Sequence, residues 1–424
     1  MSSCCVAIVG VGLVGKQVVQ QLTSPALAGL FKIVSLTNSK HTLALSPSAP
    51  SLDAHTLLSL LPASSQPLPD KASHPAASYA PASPAELVKK LAADARANKQ
   101  HTILIDCTSD LSVTELYPAA IASGLSVVTP NKKGFSSSSD LFQQIVDAQS
   151  APNAGLVYLE ATVGAGLPII STLRDLLKTG DEVTKIEGVF SGTMSYIFNN
   201  FSPATPAEGP APKFSEVVKV AKENGYTVSA CQRLSCEFTE DVELTTRSVP
   251  PLAQEPHPAD DLSGSDVARK LTILSRLLSI NPSSLAALPS LPEGYASLST
   301  ETLIPSALAD CPSGDEFVER LPGHDAEFDQ LRSEAEKEGK VLRYVGVIDR
   351  ESGVVKCGLE KYPVSHPFAS ALSGSDNIVA FHTARYSQRP LIVQGAGAGA
   401  DVTAMGVVAD AIKVAERMGV RVHL

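Results

Sequence analysis

Short runs of β-branched residues alternate with helical patterns over the first third of the chain. Strand patterns occur at residues 5–9, 32–36, 102–106 and 126–129, and helical patterns follow the first of them and cover about 85–98 and 113–122. This alternation predicts a doubly wound parallel sheet with helices on both faces. A Ser/Pro/Ala-rich stretch at about 45–84 interrupts it. We expect a surface excursion there rather than core, with a short helix around its leucines.

The pattern changes after about residue 155. Helical patterns cover 168–177 and 265–280, and a strand pattern covers 185–190. Four β-like runs, at 341–348, 354–359, 378–382 and 391–393, predict a largely antiparallel sheet. The sequence therefore predicts an α/β protein with a Rossmann-type domain at 1–155 and an α+β domain at 156–394. Residues 395–424 are expected to return to the first domain as a glycine turn and a helix.

The composition is that of a globular protein. Of 424 residues, 44% are hydrophobic and 18% are charged, and the net charge is −10. This charge argues against a nucleic-acid partner, because phosphate binding relies on clustered Lys and Arg. The sequence contains no run of 18 apolar residues, the length needed to span a membrane. The glycine-rich run at 6–14 lacks the basic flank of a signal peptide. Seven irregularly spaced cysteines without a CxxC pair favour a reducing, cytoplasmic location.

A glycine-rich turn follows the first strand with the GxGxxG spacing of dinucleotide-binding sites. Gly10 permits the tight turn, Gly12 lets the backbone approach a pyrophosphate, and Gly15 lets helix and strand pack closely. The N–H groups at the start of the helix can bind the phosphates. A glycine turn without a ligand is the alternative. The predicted cofactor contacts here are Gly10, Val11, Gly12, Leu13, Val14 and Gly15.

The end of the second strand bears on the choice of cofactor. An NAD site usually has Asp or Glu there, on the ribose hydroxyls. This chain has the run Leu36, Thr37, Asn38, Ser39 and Lys40 instead. No acid would repel a 2′-phosphate, and Lys40 could attract one. We therefore expect NADP as the cofactor, or tolerance of both NADP and NAD.

Asp266 and Lys270 are four residues apart on a predicted helix and share one face. An ordinary salt bridge worth about 0.2–0.5 kcal/mol is the simple interpretation. The functional interpretation is that Asp266 holds Lys270 so that its ammonium can donate a proton to a reacting carbonyl oxygen. Glu255, Asp260 and Asp261 would then bind a cationic substrate amine; alternatively, these acids lie in a solvated loop.

Reactive side chains also follow two other strands. Lys132 and Lys133 come after the strand at 126–129, at the carboxyl end where open α/β sheets bind ligands, although both could be surface charges. Cys107 could be a nucleophile, but no histidine is placed to activate it, so a buried structural thiol is favoured. The nine histidines form no spaced pair that indicates a metal site.

Six ordered segments together resemble homoserine dehydrogenase in its short, monofunctional, fungal-type form. The most specific is the DDLxGxDxxxK string at 260–270, and the others are 7–15, 129–133, 160–170, 190–197 and 395–399. The resemblance implies reversible hydride transfer between NAD(P)H and L-aspartate 4-semialdehyde, which gives L-homoserine for threonine and methionine biosynthesis. It also implies a homodimer, with the second domain serving both catalysis and dimerisation.

The resemblance implies site residues by position. The catalytic lysine falls on Lys270, with Asp266 beside it. Lys132 falls at the junction of cofactor and substrate, where it would be a further catalytic residue that stabilises charge. Further cofactor contacts fall on Thr108, Gly225 and Gly399. Substrate-binding acids fall on Glu255 and Asp261. A monovalent-cation site, for sodium, falls on Glu160 and the backbone carbonyls of Val163, Ala165 and Leu167.

One segment departs from the family pattern. In the family a Gly-Tyr-Thr triplet runs directly into Glu-Pro, whereas here 27 residues, 228–254, separate Thr227 from Glu255. We consider two origins, a genuine surface loop and a retained intron of 81 nucleotides translated in frame, whose opening Val-Ser and closing Gln fit donor and acceptor codons. His257 is a smaller departure, where the family usually has Asp, Asn or Ser.

Two alternative functions stay open at the level of sequence. An acylating semialdehyde dehydrogenase would need a cysteine nucleophile with a histidine base. A catalytically inactive dinucleotide-binding isoform would bind NADPH without turnover and would regain activity on removal of residues 228–254.

Overall fold

The computed structural model describes residues 3–46, 50–69, 74–205, 211–224, 257–280 and 285–420. The chain forms two compact units. The first contains Met1–Thr172, Pro292–Gly294 and Gly399–Leu424, and the second contains Leu173–Leu291 and Tyr295–Ala398. Within the described ranges, no helix combines the length and the apolar character needed to cross a bilayer.

The strands belong to two sheets. In chain order they are β1 (Cys4–Val9), β2 (Phe31–Thr37), β3 (His41–Leu45), β4 (Ala77–Pro81), β5 (Thr102–Asp106), β6 (Ser126–Val128), β7 (Val157–Tyr158), β8 (Val183–Val189), β9 (Ser299–Thr300), β10 (Lys340–Asp349), β11 (Val354–Pro363), β12 (Asp376–Thr383) and β13 (Leu391–Ala396).

The helices vary from single turns to five turns. In chain order they are α1 (Leu13–Leu22), α2 (Ala54–Leu60), α3 (Pro84–Asn98), α4 (Leu111–Thr114), α5 (Tyr117–Ala122), α6 (Lys133–Ser136), α7 (Ser139–Ala148), α8 (Ile169–Lys178), α9 (Gly192–Phe201), α10 (Phe214–Glu223), α11 (Pro258–Leu262), α12 (Ser265–Ser279), α13 (Gly314–Arg320), α14 (Asp325–Lys337), α15 (Pro367–Ser370) and α16 (Ala400–Arg417).

The first unit contains a seven-stranded sheet in the order β4-β3-β2-β1-β5-β6-β7. The five strands from β2 to β7 in this order are parallel, which confirms the predicted parallel sheet. Its centre is apolar, since Val6 and Ile8 of β1 and Ile103 and Ile105 of β5 are all 0% exposed. α16 packs against α1 and contributes Val407 to the same core. β3 and the edge strand β4 extend the sheet by antiparallel pairing and were not predicted.

Part of the Ser/Pro/Ala-rich stretch is folded into the first unit. The expected short helix is present as α2, which begins after Asp53, whose carboxylate accepts the backbone N–H of Thr56 at 3.0 Å. Leu57 and Leu60 of α2 are 1% and 8% exposed and join the core. The expectation that this stretch lies outside the core is therefore wrong for α2, because leucines three apart on a helix turn one apolar face inward.

The helical pattern at 113–122 forms two short helices, α4 and α5, instead of one. Pro118 lies in the first turn of α5. A proline has no backbone N–H and fits the start of a helix but not its interior. The chain therefore begins a new helix at Tyr117.

The second unit contains a six-stranded sheet in the order β13-β12-β8-β10-β11-β9. Its pairings are antiparallel except for the short β9, which pairs in parallel with β11, so the predicted largely antiparallel sheet is confirmed. α12 packs on β10, where a Cβ on Gly346 would lie 2.7 Å from Leu271 Cδ2. A side chain at Gly346 would push away the helix that carries Asp266 and Lys270.

Candidate active site

The turn after β1 passes close to the end of β5. Gly10 has φ 91°, and a Cβ there would lie 2.8 Å from the backbone carbonyl carbon of Cys107 and from the backbone nitrogen of Thr108. A Cβ on Gly15 would lie 2.2 Å from the carbonyl oxygen of Gly10. The tight turn predicted at Gly10 and the close packing predicted at Gly15 are both present. Gly12 precedes α1 without any side-chain cap, so the helix presents the backbone N–H groups of its first turn at this loop.

A buried carboxylate joins the ends of β5 and β6. Asp106 is 0% exposed, and its Oδ2 accepts hydrogen bonds from the Tyr117 hydroxyl at 2.5 Å and from Asn131 Nδ2 at 3.0 Å. Its Oδ1 accepts the backbone N–H of Thr108 at 2.7 Å, and its carbonyl oxygen accepts the Thr129 hydroxyl at 2.8 Å. Burial raises the pKa of Asp106, and these hydrogen bonds to the carboxylate oppose the rise. The loop with Thr108 and the loop with Asn131 are thus anchored on one side chain.

Lys132 directly follows this network. The side-chain oxygen of Asn131 accepts the backbone N–H of Lys133 at 3.1 Å, and the carbonyl oxygen of Lys132 accepts the backbone N–H of Ser136 at 2.9 Å. The backbone on both sides of Lys132 is therefore fixed. Its half-buried side chain starts from a hydrogen-bonded turn at the carboxyl end of β6.

The turn between β2 and β3 carries no carboxylate. Asn38 Oδ1 accepts the backbone N–H groups of Lys40 at 3.0 Å and His41 at 2.8 Å, and its Nδ2 donates to the carbonyl oxygen of Pro62 at 2.8 Å. The side chain of Lys40 is exposed. The turn after β2 therefore carries the cation Lys40 at the place where an NAD site usually has an Asp or Glu.

Gly399 precedes α16 in the first unit. It has φ 126°, and a Cβ there would lie 2.8 Å from Val402 Cγ2, so the position favours glycine for both conformation and space. The resemblance also implies a cofactor contact at Gly225 and a substrate contact at Glu255. Both residues lie outside the described part of the chain, as does the segment 228–254.

In the second unit, the ammonium of Lys270 lies between two oxygen acceptors. Its Nζ is 2.6 Å from Asp266 Oδ2 and donates to the carbonyl oxygen of Phe190 at 2.6 Å. Asn377 Nδ2 donates to the same carbonyl at 3.1 Å. Lys270 is only 7% exposed, unlike a lysine in an ordinary surface pair. This burial favours the functional interpretation of the i,i+4 spacing.

Asp261 lies on α11, just before the helix of Lys270. Its Oδ2 is buried and accepts no hydrogen bond from the part of the chain that the structure describes. Burial is the main cause that raises its pKa to about 7, and the charges of Asp266 and Asp260 raise it further. A hydrogen bond from Thr193 and the charge of Lys270 oppose this rise. Such a carboxyl is suited to bind a cation, which would favour its ionised form.

His257 replaces the usual capping residue at the start of α11. Its Nδ1 accepts the backbone N–H of Ala259 at 3.1 Å, which is the role that Asp, Asn or Ser performs at a helix N-cap. Its Nε2 lies 3.2 Å from the carbonyl oxygen of Cys311, and its ring lies 5.4 Å from that of Phe317. The departure at His257 therefore preserves the cap of the helix that carries Asp261.

Glu160 is buried and already hydrogen bonded. Its Oε1 accepts the backbone N–H of Ile170 at 2.7 Å, and its Oε2 accepts that of Ser171 at 2.9 Å. Lys413 Nζ lies 3.6 Å from Oε2, and the backbone N–H of Glu160 donates to Asp410 at 2.8 Å. The charge of Glu160 is thus partly balanced within the first unit.

The three implied carbonyl ligands lie on the loop between Glu160 and α8. The backbone of this loop is left-handed at Gly164 and at Ala165, with φ 76° and 55°. One carboxylate and the carbonyls of Val163, Ala165 and Leu167 would supply only oxygen atoms, the donor type that hard cations prefer, so the residue types fit such an ion. Among the described residues, no group of three or more His, Cys, Asp or Glu side chains could hold a metal.

Each unit brings together a part of the predicted site. Gly10, Thr108 and Lys132 lie along connected loops of the first unit, and Lys270, Asp266 and Asp261 lie together in the second. The sequence did not single out four further residues of these networks. Two had a local signal, since Asn131 stands beside the noted lysines and Asp106 ends a predicted strand. Tyr117 lies inside a helical pattern and Asn377 lies directly before the strand pattern at 378–382, where no signal separates either of them from core residues.

Comparison with known proteins identifies the family. The model of the homoserine dehydrogenase NAD binding domain matches residues 10–159, and the homoserine dehydrogenase model matches 168–232 and 252–412. Homoserine dehydrogenase of Saccharomyces cerevisiae is 40% identical over 416 residues, which are 97% of this chain and 98% of that protein. The chain belongs to the homoserine dehydrogenase family.

Solved structures agree with the fold. A Candida auris protein of unknown function is 40% identical, with a TM-score of 0.78 over 98% of this chain and 99% of that one. A hyperthermophilic archaeal homoserine dehydrogenase in complex with NADPH is 20% identical, with a TM-score of 0.61 over 98% of each chain. The second likeness concerns the fold alone.

Family membership assigns the reaction. The chain is an NAD(P)-dependent oxidoreductase that interconverts L-homoserine and L-aspartate 4-semialdehyde. The acylating alternative loses its nucleophile, because burial and the charge of Asp106 raise the pKa of the Cys107 thiol. Nothing in the comparisons supports an inactive isoform. The family match is interrupted between residues 232 and 252, inside the 27-residue insert.

Proposed function

We propose that Lys270 is the proton donor of this homoserine dehydrogenase. The lysine protonates the aldehyde oxygen of L-aspartate 4-semialdehyde during reduction and receives the proton from the hydroxyl of L-homoserine during oxidation. The observation that supports this is the buried ammonium within 2.6 Å of both Asp266 and the carbonyl of Phe190. Asp266 orients the ammonium and balances its charge.

The acids before Lys270 would bind the amine of the substrate. Asp261 and Glu255 carry this role, together with Asp266. For Asp261 the support is a half-buried carboxyl with an unpartnered oxygen and a pKa of about 7. An ammonium group bound there would favour the ionised carboxylate and gain a charge-assisted hydrogen bond.

The nicotinamide cofactor supplies or accepts the hydride when it is bound. The loops of the first unit would hold it: the segment 10–15 at its phosphates, Thr108 and Lys132 near its reacting end, and Gly399 and Gly225 by backbone contacts. The tight packing at Gly10 and Gly15 supports a backbone cradle of this kind. NADP is preferred over NAD, because the turn after β2 has no acid that would repel a 2′-phosphate and has Lys40, which would attract it.

A sodium ion would have a structural role beside Glu160, with the carbonyls of Val163, Ala165 and Leu167. The support is the all-oxygen donor set of these four residues; the Lys413 ammonium lies 3.6 Å from the Glu160 carboxylate. A thermal melt in sodium chloride against N-methylglucamine chloride at equal ionic strength tests it. A higher melting temperature in sodium chloride is expected, and equal temperatures would refute the ion.

The homodimer, the cytoplasmic location and the biosynthetic role in threonine and methionine formation also belong to this proposal.

The face of the second sheet that carries Val347 lies opposite to the face with Gly346 and α12, since side chains alternate along a strand. Strand register puts Val354 and Ile392 on that face, 39% and 38% exposed. A second copy would cover these apolar side chains. Light scattering should give twice 44.3 kDa, and a monomer would contradict the dimer.

The three-part domain organisation remains part of the proposal. The support is the presence of two compact units, which divide after Thr172 and before Gly399 rather than at 155 and 394, and the packing of α16 in the first of them. Limited proteolysis followed by mass spectrometry checks whether the first cuts fall near these positions.

Oxidation of L-homoserine, followed as NADPH or NADH absorbance, tests the role of Lys270. Lys270→Ala should lower kcat by about 100- to 10,000-fold, the range expected for loss of a general acid–base group. The matched control is Lys90→Ala on α3, which removes an exposed i,i+4 pair with Asp94 and should leave kcat unchanged. A Lys270→Ala enzyme with kcat within threefold of the parent would refute the proposal.

A further inference from the structure

Asn377 is a fully buried polar residue without an assigned role. It lies on β12, is 0% exposed, and donates from Nδ2 to the carbonyl oxygen of Phe190 at 3.1 Å. Its Oδ1 is buried and has no hydrogen-bond partner among the described residues. A residue that served packing alone would be apolar here, because a buried amide oxygen without a partner lowers stability. The arrangement therefore indicates that the donor side of the amide is used.

The carbonyl of Phe190 does not need Asn377 to be satisfied. It already accepts a hydrogen bond from Lys270 at 2.6 Å. The amide of Asn377 occupies the second lone pair of the same oxygen, so the acceptor is shared between an ammonium and a neutral amide. Because Asn377 occupies one lone pair, Lys270 can donate its hydrogen bond to this oxygen from only one side.

The carbonyl lies where three elements of the second unit meet. Phe190 follows β8, and Ser191 then caps α9 by accepting the backbone N–H of Met194 at 3.2 Å. A Cβ on Gly397 would lie 2.0 Å from Cγ of Asn377, so the segment after β13 packs directly against the amide. This close packing holds Asn377 in one position. Through its hydrogen bond, Asn377 in turn holds the carbonyl oxygen of Phe190.

We propose that Asn377 is a positioning residue for Lys270, acting through the carbonyl oxygen that both side chains share. An ammonium has three donors in a fixed tetrahedral arrangement. The Phe190 carbonyl and the Asp266 carboxylate fix the directions of two N–H donors of Lys270. Asn377 determines the direction of the donor that points to Phe190. A displacement of about 1 Å of a catalytic group can cost on the order of 100-fold in rate. This inference rests on the role proposed for Lys270.

The test uses Asn377→Leu, which has the same number of side-chain heavy atoms and the same branching but lacks both the donor and the unpartnered oxygen. We expect kcat for homoserine oxidation to fall about 10- to 100-fold, while KM for homoserine and for NADP changes less than threefold. The kinetic isotope effect with homoserine deuterated at the carbon that loses the hydride should increase, because the chemical step becomes more rate-limiting. Asn377→Asp, which keeps the shape but loses the amide donor, is the second variant in case the leucine variant does not fold.

Asn199→Leu is the matched control. Asn199 on α9 also donates to a backbone carbonyl, that of Gly374 at 3.2 Å, and its Oδ1 is also buried without a partner in the described chain. Its acceptor is not the one that Lys270 uses. A merely structural role of Asn377 predicts that both leucine variants lower the melting temperature alike, with no change in the isotope effect.

A double-mutant cycle separates this inference from the proposed function. In the Lys270→Ala background, Asn377→Leu should have almost no further effect on kcat, since the two residues act as one unit. Equal effects of Asn377→Leu in both backgrounds, or an unchanged kcat in the parent background, would overturn the positioning role alone. Full activity of Lys270→Ala would overturn the proposed function and this inference together.

Discussion

The hydroxyl of Tyr117 donates a hydrogen bond to the carboxylate of Asp106 at 2.5 Å, and both residues are 0% exposed. Burial and the neighbouring charge of Asp106 raise the pKa of Tyr117, so the proton stays on the phenol and the carboxylate remains the acceptor. Asp106 also accepts from Thr108 and Asn131. One buried hydrogen bond from α5 thus supports two loops at the carboxyl ends of β5 and β6.

Tyr117→Phe should lower the free energy of unfolding by about 1–3 kcal/mol, because the buried Asp106 carboxylate loses a donor and no water can replace it. KM for NADP should rise more than KM for homoserine, since the affected loops belong to the first unit. Urea unfolding and steady-state kinetics measure the two effects. The control is Tyr386→Phe, whose side chain is 42% exposed and should change stability by less than about 0.5 kcal/mol. Equal stability of both variants would contradict the anchoring role.

Gly10 and Gly29 allow conformational strain to be separated from steric clash. Both have left-handed backbones, with φ 91° and 83°, but a Cβ on Gly29 meets nothing within 4 Å. Gly29→Ala should cost about 1–2 kcal/mol from the backbone alone. Gly10→Ala should cost clearly more, because its Cβ would lie 2.8 Å from the backbone of Cys107 and Thr108.

Gly10→Ala should also weaken NADPH binding about 10-fold or more, whereas Gly29→Ala should leave it unchanged. Urea unfolding gives the two stabilities, and titration of NADPH fluorescence gives the two dissociation constants. Equal costs for the two substitutions would show that the close approach at Gly10 does not exist in solution.

Asp261 predicts a defined pH dependence of stability. Its pKa is about 7 in the folded protein and 3.8 when unperturbed, so the folded state binds the proton more tightly. The resulting stabilisation is fully present below pH 3.8 and is lost as the pH rises through about 7. Asp261→Asn stays neutral, so its stability relative to the parent should grow between pH 4 and pH 8, by about 2–4 kcal/mol in total.

Comparison of the two proteins removes the contributions of other groups. Although burial opposes it, hydrogen bonds from His382 and Lys185 lower the pKa of Glu187 to about 2, and this carboxylate titrates alike in parent and variant. Asp260→Asn, at the exposed neighbour, is the matched comparison and should show a much smaller growth in relative stability, because it removes only one of the charges that raise the pKa of Asp261. Urea unfolding at pH 5, 6, 7 and 8 measures the trend, and a flat difference for Asp261→Asn would disprove it.

The sequence predicted what local patterns determine. Strand β5 is found at the predicted residues, and the i,i+4 spacing of Asp266 and Lys270 placed both on one helix face. It did not predict β3 and β4, which pair at a sheet edge and lie in or beside a stretch rich in serine and proline. The convergence of Lys270 and Asn377 on the carbonyl of Phe190 could not be predicted either, since it joins residues 80 and 187 positions apart through tertiary packing.

Removal of residues 228–254 is the variant that decides the effect of the insert on the enzyme. Closing a loop of this length costs about 3 kcal/mol, so the parent should still fold. Both flanks are anchored on α13: Lys222 of α10 pairs with Asp315, and the ring of His257 lies 5.4 Å from that of Phe317. We expect the shortened enzyme to keep these anchors and to exceed the parent in kcat/KM for homoserine, because the insert separates Gly225 from Glu255. A variant in which the insert is replaced by 27 Gly/Ser residues controls for loop length and should remain as impaired as the parent. Equal kcat/KM in all three proteins would show that the insert is a tolerated loop.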